Sequence, residues 1–255
     1  MQIFKTLTAI LLMAMTLPAC ANSPTYSTQP EYYFSDPAQL ALAVAAGRGD
    51  TEAMQQALNQ GADPNAPGKD GMTPLFWSAT DTMGVNIEGF RYLLEHGGDP
   101  NLVVVDEDKP GKSTIHLIYL VFTQTNPEFL EAALEAGADP NTVVSSSKGQ
   151  TLLFEDYLDV YIDNVKLLIE YGADVNYRGQ FQQPPLISAV AGSDYKAALA
   201  FVEAGADPTL ENEVNGMTAL GLIKSNHDRQ NRSEGSSYSQ LVNALKEKGY
   251  LDDSF

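Results

Sequence analysis

Variants of the phrase Gly-Ala-Asp-Pro-Asn return five times in this chain: GADPN at Gly61, GGDPN at Gly97, GADPN at Gly137, GADVN at Gly172 and GADPT at Gly205, with KGY around Gly249 closing the series. Successive glycines stand 36, 40, 35, 33 and 44 residues apart. A recurrence of this length implies stacked supersecondary units rather than one domain wrapped around one enclosed core. Each glycine follows a stretch such as FRYLLEH or AALEA, where a helix must stop and a residue of positive φ receives the last carbonyls. Asp, Pro and Asn then turn the chain. The phrase reads as punctuation between helices, with no catalytic content.

The first residues follow another logic. Lys5 precedes the apolar run LTAILLMAMTL, and Pro18, Ala19, Cys20 and Ala21 come after it. Such a run is too short to cross a bilayer and suits the middle of a secretory signal, so residues 1–19 are expected to be a signal peptide. LPAC resembles the lipobox of bacterial lipoproteins, which implies lipidation of Cys20, and Ala21 after it resembles lipoproteins sent to the outer membrane. ACA also offers ordinary signal peptidase a small-x-small site after Ala21, giving a soluble periplasmic chain. Cys20 is the one cysteine, so no disulfide staples the fold. Residues 20–35, with Pro24 and Pro30 among small polar residues, read as a flexible tether. The alternative is an ordered extension that lays Tyr32, Tyr33 and Phe34 on the first unit.

Read backwards from its glycine, each unit holds two helical stretches joined by a turn. The first stretch opens TPLFWSA at Thr73, STIHLIY at Ser113, TLLFEDY at Thr151, PPLISAV at Pro184 and TALGLIK at Thr218. These openings resemble the T-P-L-H-x-A signature of ankyrin repeats, and LLEHGGDPN and LLIEYGADVN resemble the close of such repeats. The resemblance covers residues 36–251. It implies an all-α solenoid of about six helix-turn-helix repeats, at about 36–65, 66–101, 102–141, 142–176, 177–209 and 210–251, joined by β-turn or hairpin loops. Leu75, Ile115, Leu153, Leu186 and Leu220 recur at one place and are expected to stack between neighbours.

Departures from the regular length carry information of their own. From opening residue to closing glycine, units four and five run 21 residues and units two and three run 24. The extra length falls near TMGVN and TQTNP, in the polar run SNHDRQNRSEGSS of unit six, and in the turn LVVVDEDKPGK before unit three. Insertions on one edge of a solenoid are usually loops and often lie on its binding face.

Catalytic chemistry finds little support. No serine or cysteine is paired with a histidine in a legible pattern, and His96, His116 and His227 lack metal-ligand spacing, so no catalytic residue, metal or cofactor is expected. His116 takes the His place of the T-P-L-H signature, where the resemblance implies a structural hydrogen-bonding role. His96 falls in the last turn before a glycine, where the helix dipole favours positive charge. The acidic run at Asp106 lacks the glycine and distant glutamate of a calcium loop. In FEDYLDVYID, Glu155, Asp156, Asp159 and Asp163 are expected along a helix with Tyr157 and Tyr161 between them. They form either a solvated acidic face or a patch where tyrosines supply contact area and carboxylates steer a basic partner.

The formal net charge of −18 repels phosphate backbones and anionic lipid, so nucleic acid is not an expected partner and membrane association is left to an acyl anchor. A protein with a basic surface is the electrostatic complement. The resemblance implies binding through turn tips and through the concave side made by the first helices. The expected contacts on the turns are Lys69, Asp70, Met72, Asp106, Asp108, Lys112, Lys148, Arg178, Gln180 and Glu213, joined by Trp77, Asp81 and Tyr119 on the helices. Glu155, Asp156 and Asp159 add the acidic stretch. The chain is expected to be a monomeric, non-catalytic envelope protein that holds one protein partner. An immunity protein neutralising a toxin and a periplasmic scaffold or stress-protection factor both fit.

Overall fold

The computed structural model describes residues 29–80, 86–106, 113–144, 148–156, 158–227, 235–252 and 255. Helix starts follow from capping chemistry. α1 (Pro37–Arg48) begins where the Asp36 carboxylate accepts from the Ala38 and Gln39 amides, and α2 (Thr51–Asn59) where Asp50 accepts from Ala53. α3 (Pro74–Ser78) is capped by Thr73 Oγ1, which accepts from the Phe76 amide at 3.0 Å, and α4 (Ile87–Glu95) by Asn86. α5 (Leu117–Phe122), α6 (Glu128–Glu135), α7 (Ile162–Glu170), α8 (Pro185–Gly192) and α9 (Tyr195–Glu203) follow. α10 (Ala219–Asn226) and α11 (Ser237–Glu247) start at the hydroxyls of Thr218 and Ser236. The phrase glycines stop the second helices, with φ between 93° and 99° at Gly61, Gly97, Gly137, Gly172 and Gly205.

The helices form two layers. α2, α4, α6, α7, α9 and α11 pack successively in one, while α1 lies on α3, and α8 on α10, in the other. One continuous core runs between them, with Phe76, Trp77, Phe90, Phe122, Phe129 and Phe201 among its fully buried side chains. Phe90 and Phe129 meet across α4 and α6 with ring centroids 5.3 Å apart. Among the described residues, no helix is long and apolar enough to cross a membrane.

The structure departs from the sequence expectations in three places. Ser113 does not open a helix: Ser113–His116 is a strand, β2, paired antiparallel with β1 (Val103–Asp106) in the register Val104↔Ile115. The β-branched run Val103 to Val105 opposite Thr114 and Ile115 favours extended backbone. The Leu117 amide reaches the Leu102 carbonyl at 2.8 Å, continuing the β1–β2 ladder, and Leu117 is fully buried, while Ile115 packs against the core from the strand, partly buried like Leu220. His116 is the N-cap residue of α5, but its side chain makes no capping hydrogen bond.

In the fourth unit the expected acidic helix is absent. Leu152–Phe154 form one 3-10 turn, buried on all three side chains, and helix resumes only at Ile162. Carboxylates three and four residues apart, such as Asp156 and Glu155 with Asp159, would repel along one helical face. The tether expectation fails over residues 29–35: Pro30–Tyr32 make a 3-10 turn, Tyr33 and Phe34 are buried, and Tyr33 packs on Trp77 at 5.6 Å. The alternative, an ordered aromatic extension, describes this segment.

Candidate functional site

The repeated phrase builds the scaffold of the site. Within each copy the Asp carboxylate accepts the amide two residues on, as Asp63 does from Asn65 and Asp139 from Asn141. The final Asn then reaches the next copy. Asn65 Nδ2 donates to the Gly97 carbonyl at 2.7 Å, and its Oδ1 accepts from the Asp99 amide at 2.8 Å. Asn101 repeats both bonds to Gly137 and Asp139, Asn141 to Gly172 and Asp174, and Asn176 to Gly205 and Asp207. Four asparagines thus lock five turns in fixed relation. The series ends at Thr209, which lacks the side-chain amide of the asparagines and bonds within its own turn to Asp207.

Beyond each locked turn the chain projects a hairpin. Gly68 donates to the Met72 carbonyl at 2.7 Å, Val144 to Gln150 at 3.0 Å, Gly179 to Gln183 at 3.2 Å and Asn212 to Met217 at 2.9 Å, while β1 and β2 form the hairpin of the third unit. Three of the four neighbouring hairpin pairs approach closely. A Cβ on Gly71 would stand 3.1 Å from the Val105 carbonyl oxygen, one on Gly179 would stand 3.5 Å from Gln150 Cγ, and Asn212 Nδ2 donates to Gln183 Oε1 at 2.8 Å. The result is a row of tips along one edge.

On that row Lys69, Lys148, Gln180 and Glu213 are exposed, and Lys69 Nζ sits 3.5 Å above the Tyr32 ring. Asp70 is half-buried in a left-handed conformation with φ 57°. Tyr119 projects from α5, 36% exposed. Arg178 is half-buried, and its Nη2 donates to the Glu211 carbonyl at 2.9 Å, so it ties two hairpins together. Asp106 ends β1. Asp81, Asp108, Lys112 and Cys20 lie outside the described residues.

Two expected contacts are corrected. Trp77 and Met72 are each 1% exposed and belong to the core, Trp77 beneath Tyr33. Sequence reasoning missed Val103 and Val143, 41% and 37% exposed, which occupy the same place six residues past a phrase glycine. An apolar residue recurring at a turn position was the available signal.

The acidic stretch also changes meaning. Asp159 Oδ1 accepts from the Ala197 amide at 2.9 Å, which makes it the cap of α9 in the following unit, and the Asp159 amide approaches Asp194 Oδ1 at 3.4 Å. Burial pushes the Asp194 carboxyl above its usual range, assisted by the Asp159 charge and opposed by the backbone amides it accepts. Burial likewise raises Glu155, with the Asp156 charge second and Lys148 opposing. Of the three, Asp156 alone is exposed, while Glu155 and Asp159 are half-buried. Among the described residues no group of three His, Cys, Asp or Glu side chains could hold a metal ion.

Residues 25–104 match the family model for ankyrin repeats in three copies. A protein of Rickettsia bellii (strain RML369-C) described as an ankyrin repeat protein is 32% identical over 143 residues, which is 54% of this chain and 52% of that protein. The chain therefore spans about half the length of this curated relative. Among solved structures, an ankyrin repeat domain from Acinetobacter baumannii AYE superposes with a TM-score of 0.57 at 22% identity, covering 80% of this chain and 96% of the other. A chain in the structure of a predatory endopeptidase from Bdellovibrio bacteriovorus in complex with an immunity protein gives a TM-score of 0.51 at 22% identity, covering 80% of this chain and 97% of that one. The fold is the ankyrin repeat fold.

Proposed function

We propose that this chain is a non-catalytic protein-binding module of the bacterial envelope, and that it works as an immunity-type protein that holds a toxin inactive. The observation that carries the reading is the row of hairpin tips held in register by the asparagine ladder. A surface fixed before binding loses little conformational freedom when a partner arrives. Lys69, Tyr119, Lys148, Gln180 and Glu213 offer separate contacts along that row, and Val103 and Val143 add apolar area between them. The net charge of −18 favours a partner with a basic surface and speeds its encounter.

The stack is read as six repeats, the fourth with a 3-10 turn in place of its first helix. The module acts as a monomer, carried to the periplasm by residues 1–19 and tethered to the outer membrane through a lipidated Cys20. One structure of similar fold holds an endopeptidase together with an immunity protein, which supports the choice of a toxin as the partner class.

The test is to crosslink the tagged protein in intact cells, identify what it retains, and co-express the two. The reading expects one dominant basic protein whose toxicity is relieved by co-expression. A diffuse set of envelope proteins, or a partner whose toxicity is unrelieved, contradicts it.

A further inference from the structure

Two hairpins of the row are spelled alike: DGMTPL at 70–75 and NGMTAL at 215–220. Asp70 in one takes the place of Asn215 in the other, each followed by a glycine. Residues 213–217 are exposed, and nothing lies within 4 Å of where a Cβ on Gly216 would stand, so the tip is open at this glycine. Asn215 Oδ1 accepts from the Met217 amide at 3.0 Å. That bond folds the side chain forward across the Gly216 peptide and draws electron density from Cγ, as a donor aimed at a reacting carbonyl does.

We propose that Asn215 and Gly216 form a site of succinimide formation and non-enzymatic deamidation. Hydroxide takes the Gly216 amide proton, and the nitrogen attacks Asn215 Cγ. The N–Cγ bond forms, the Cγ–Nδ2 bond breaks, and Nδ2 leaves as ammonia with a proton from water. A second water opens the five-membered ring at either carbonyl, leaving an aspartyl or an isoaspartyl linkage. No oxidant or reductant is involved. Both products place a new negative charge on the tip row, and the isoaspartyl product also lengthens the backbone of the hairpin by one atom.

One contact gates the step. The Gly216 amide donates to the Asn212 carbonyl at 2.9 Å, and Asn212 is itself held by Gln183 and by the Val214 amide. The hairpin must open before the nitrogen can attack, so a partner bound over this tip slows the conversion. The ladder asparagines supply an internal contrast: Asn101 and Asn141 precede Leu102 and Thr142, and both amide groups are engaged in cross-unit bonds.

The purified full chain and the variant Asn215→Gln are to be held in mildly alkaline buffer. Peptide mass spectrometry and isoaspartyl methyltransferase labelling then follow the conversion. Conversion is expected in the peptide containing Asn215, with both linkages present, rising about tenfold per pH unit because the deprotonated fraction of an amide far below its pKa grows by that factor. Asn215→Gln is expected to lose it. Asn215 remaining an amide in the folded chain while the same chain in urea converts would overturn the proposal. So would equal conversion at Asn101 and Asn141.

Discussion

Asn65, Asn101, Asn141 and Asn176 each spend both halves of a side-chain amide on the next copy of their own phrase. Asn141→Ala removes two cross-unit bonds and is expected to lower stability by about 1–2 kcal/mol in urea unfolding. Thr209→Ala, which breaks only the hydroxyl's bond to Asp207 within one turn, is expected to cost less. The glycines and helix caps were legible in the letters because their work is local. The ladder was not read, because its partners lie in the next unit, yet the chain spells the rule: the phrase ends in Asn wherever the next copy carries Asp, and in Thr where it does not. Asp194 supplies a second test at this scale. Its folded carboxyl binds a proton more tightly than in the unfolded chain, chiefly through burial. Protonation therefore adds stability that is complete below the ordinary Asp pKa and is lost as pH rises through the raised folded value. Asn keeps an oxygen to accept the same amides without charge, so Asp194→Asn is expected to raise Tm at neutral pH and to flatten the acid limb of the profile.

At the scale of elements, α4 lies so close to α1 that a Cβ on Gly89 would run into the Ala46 carbonyl. Alanine favours a helix over glycine by about 1 kcal/mol, yet Gly89→Ala is expected to destabilise by about 1–3 kcal/mol in thermal or urea unfolding through overpacking. Asp159 caps an element outside its own unit, so Asp159→Ala is expected to cost about 1 kcal/mol and to speed hydrogen exchange in the first turn of α9. Asp156→Ala is expected to leave both nearly unchanged. Most elements were legible from period and caps. β2 and the missing fourth-unit helix were not, since an alignment of openings treats Ser113 and Thr151 as helix starts like Thr73. Only side-chain sterics and charge separate them: β-branched pairing across β1 and β2, and carboxylates crowded at helical spacing in the fourth unit. Burial removed Trp77 and Met72 from the contact surface for a related reason, since letters alone do not tell which face of a short helix turns inward.

For the whole molecule, the ladder sets the tips in a row along one edge, while the layer of second helices carries its own surface pair, Arg91 with Glu135 at 2.8 Å. With a net charge of −18, association with a basic partner is expected to slow as salt rises, while the dissociation rate changes little. The central claim is that the tip row is where the partner sits. Photo-crosslinking residues placed singly at Lys148, Glu213 and Glu203, all exposed, test it directly in intact cells. The account predicts the same protein captured from Lys148 and Glu213 on the tips, and none above background from Glu203 at the end of α9. Capture from Glu203, or no shared adduct between the two tip positions, would contradict it.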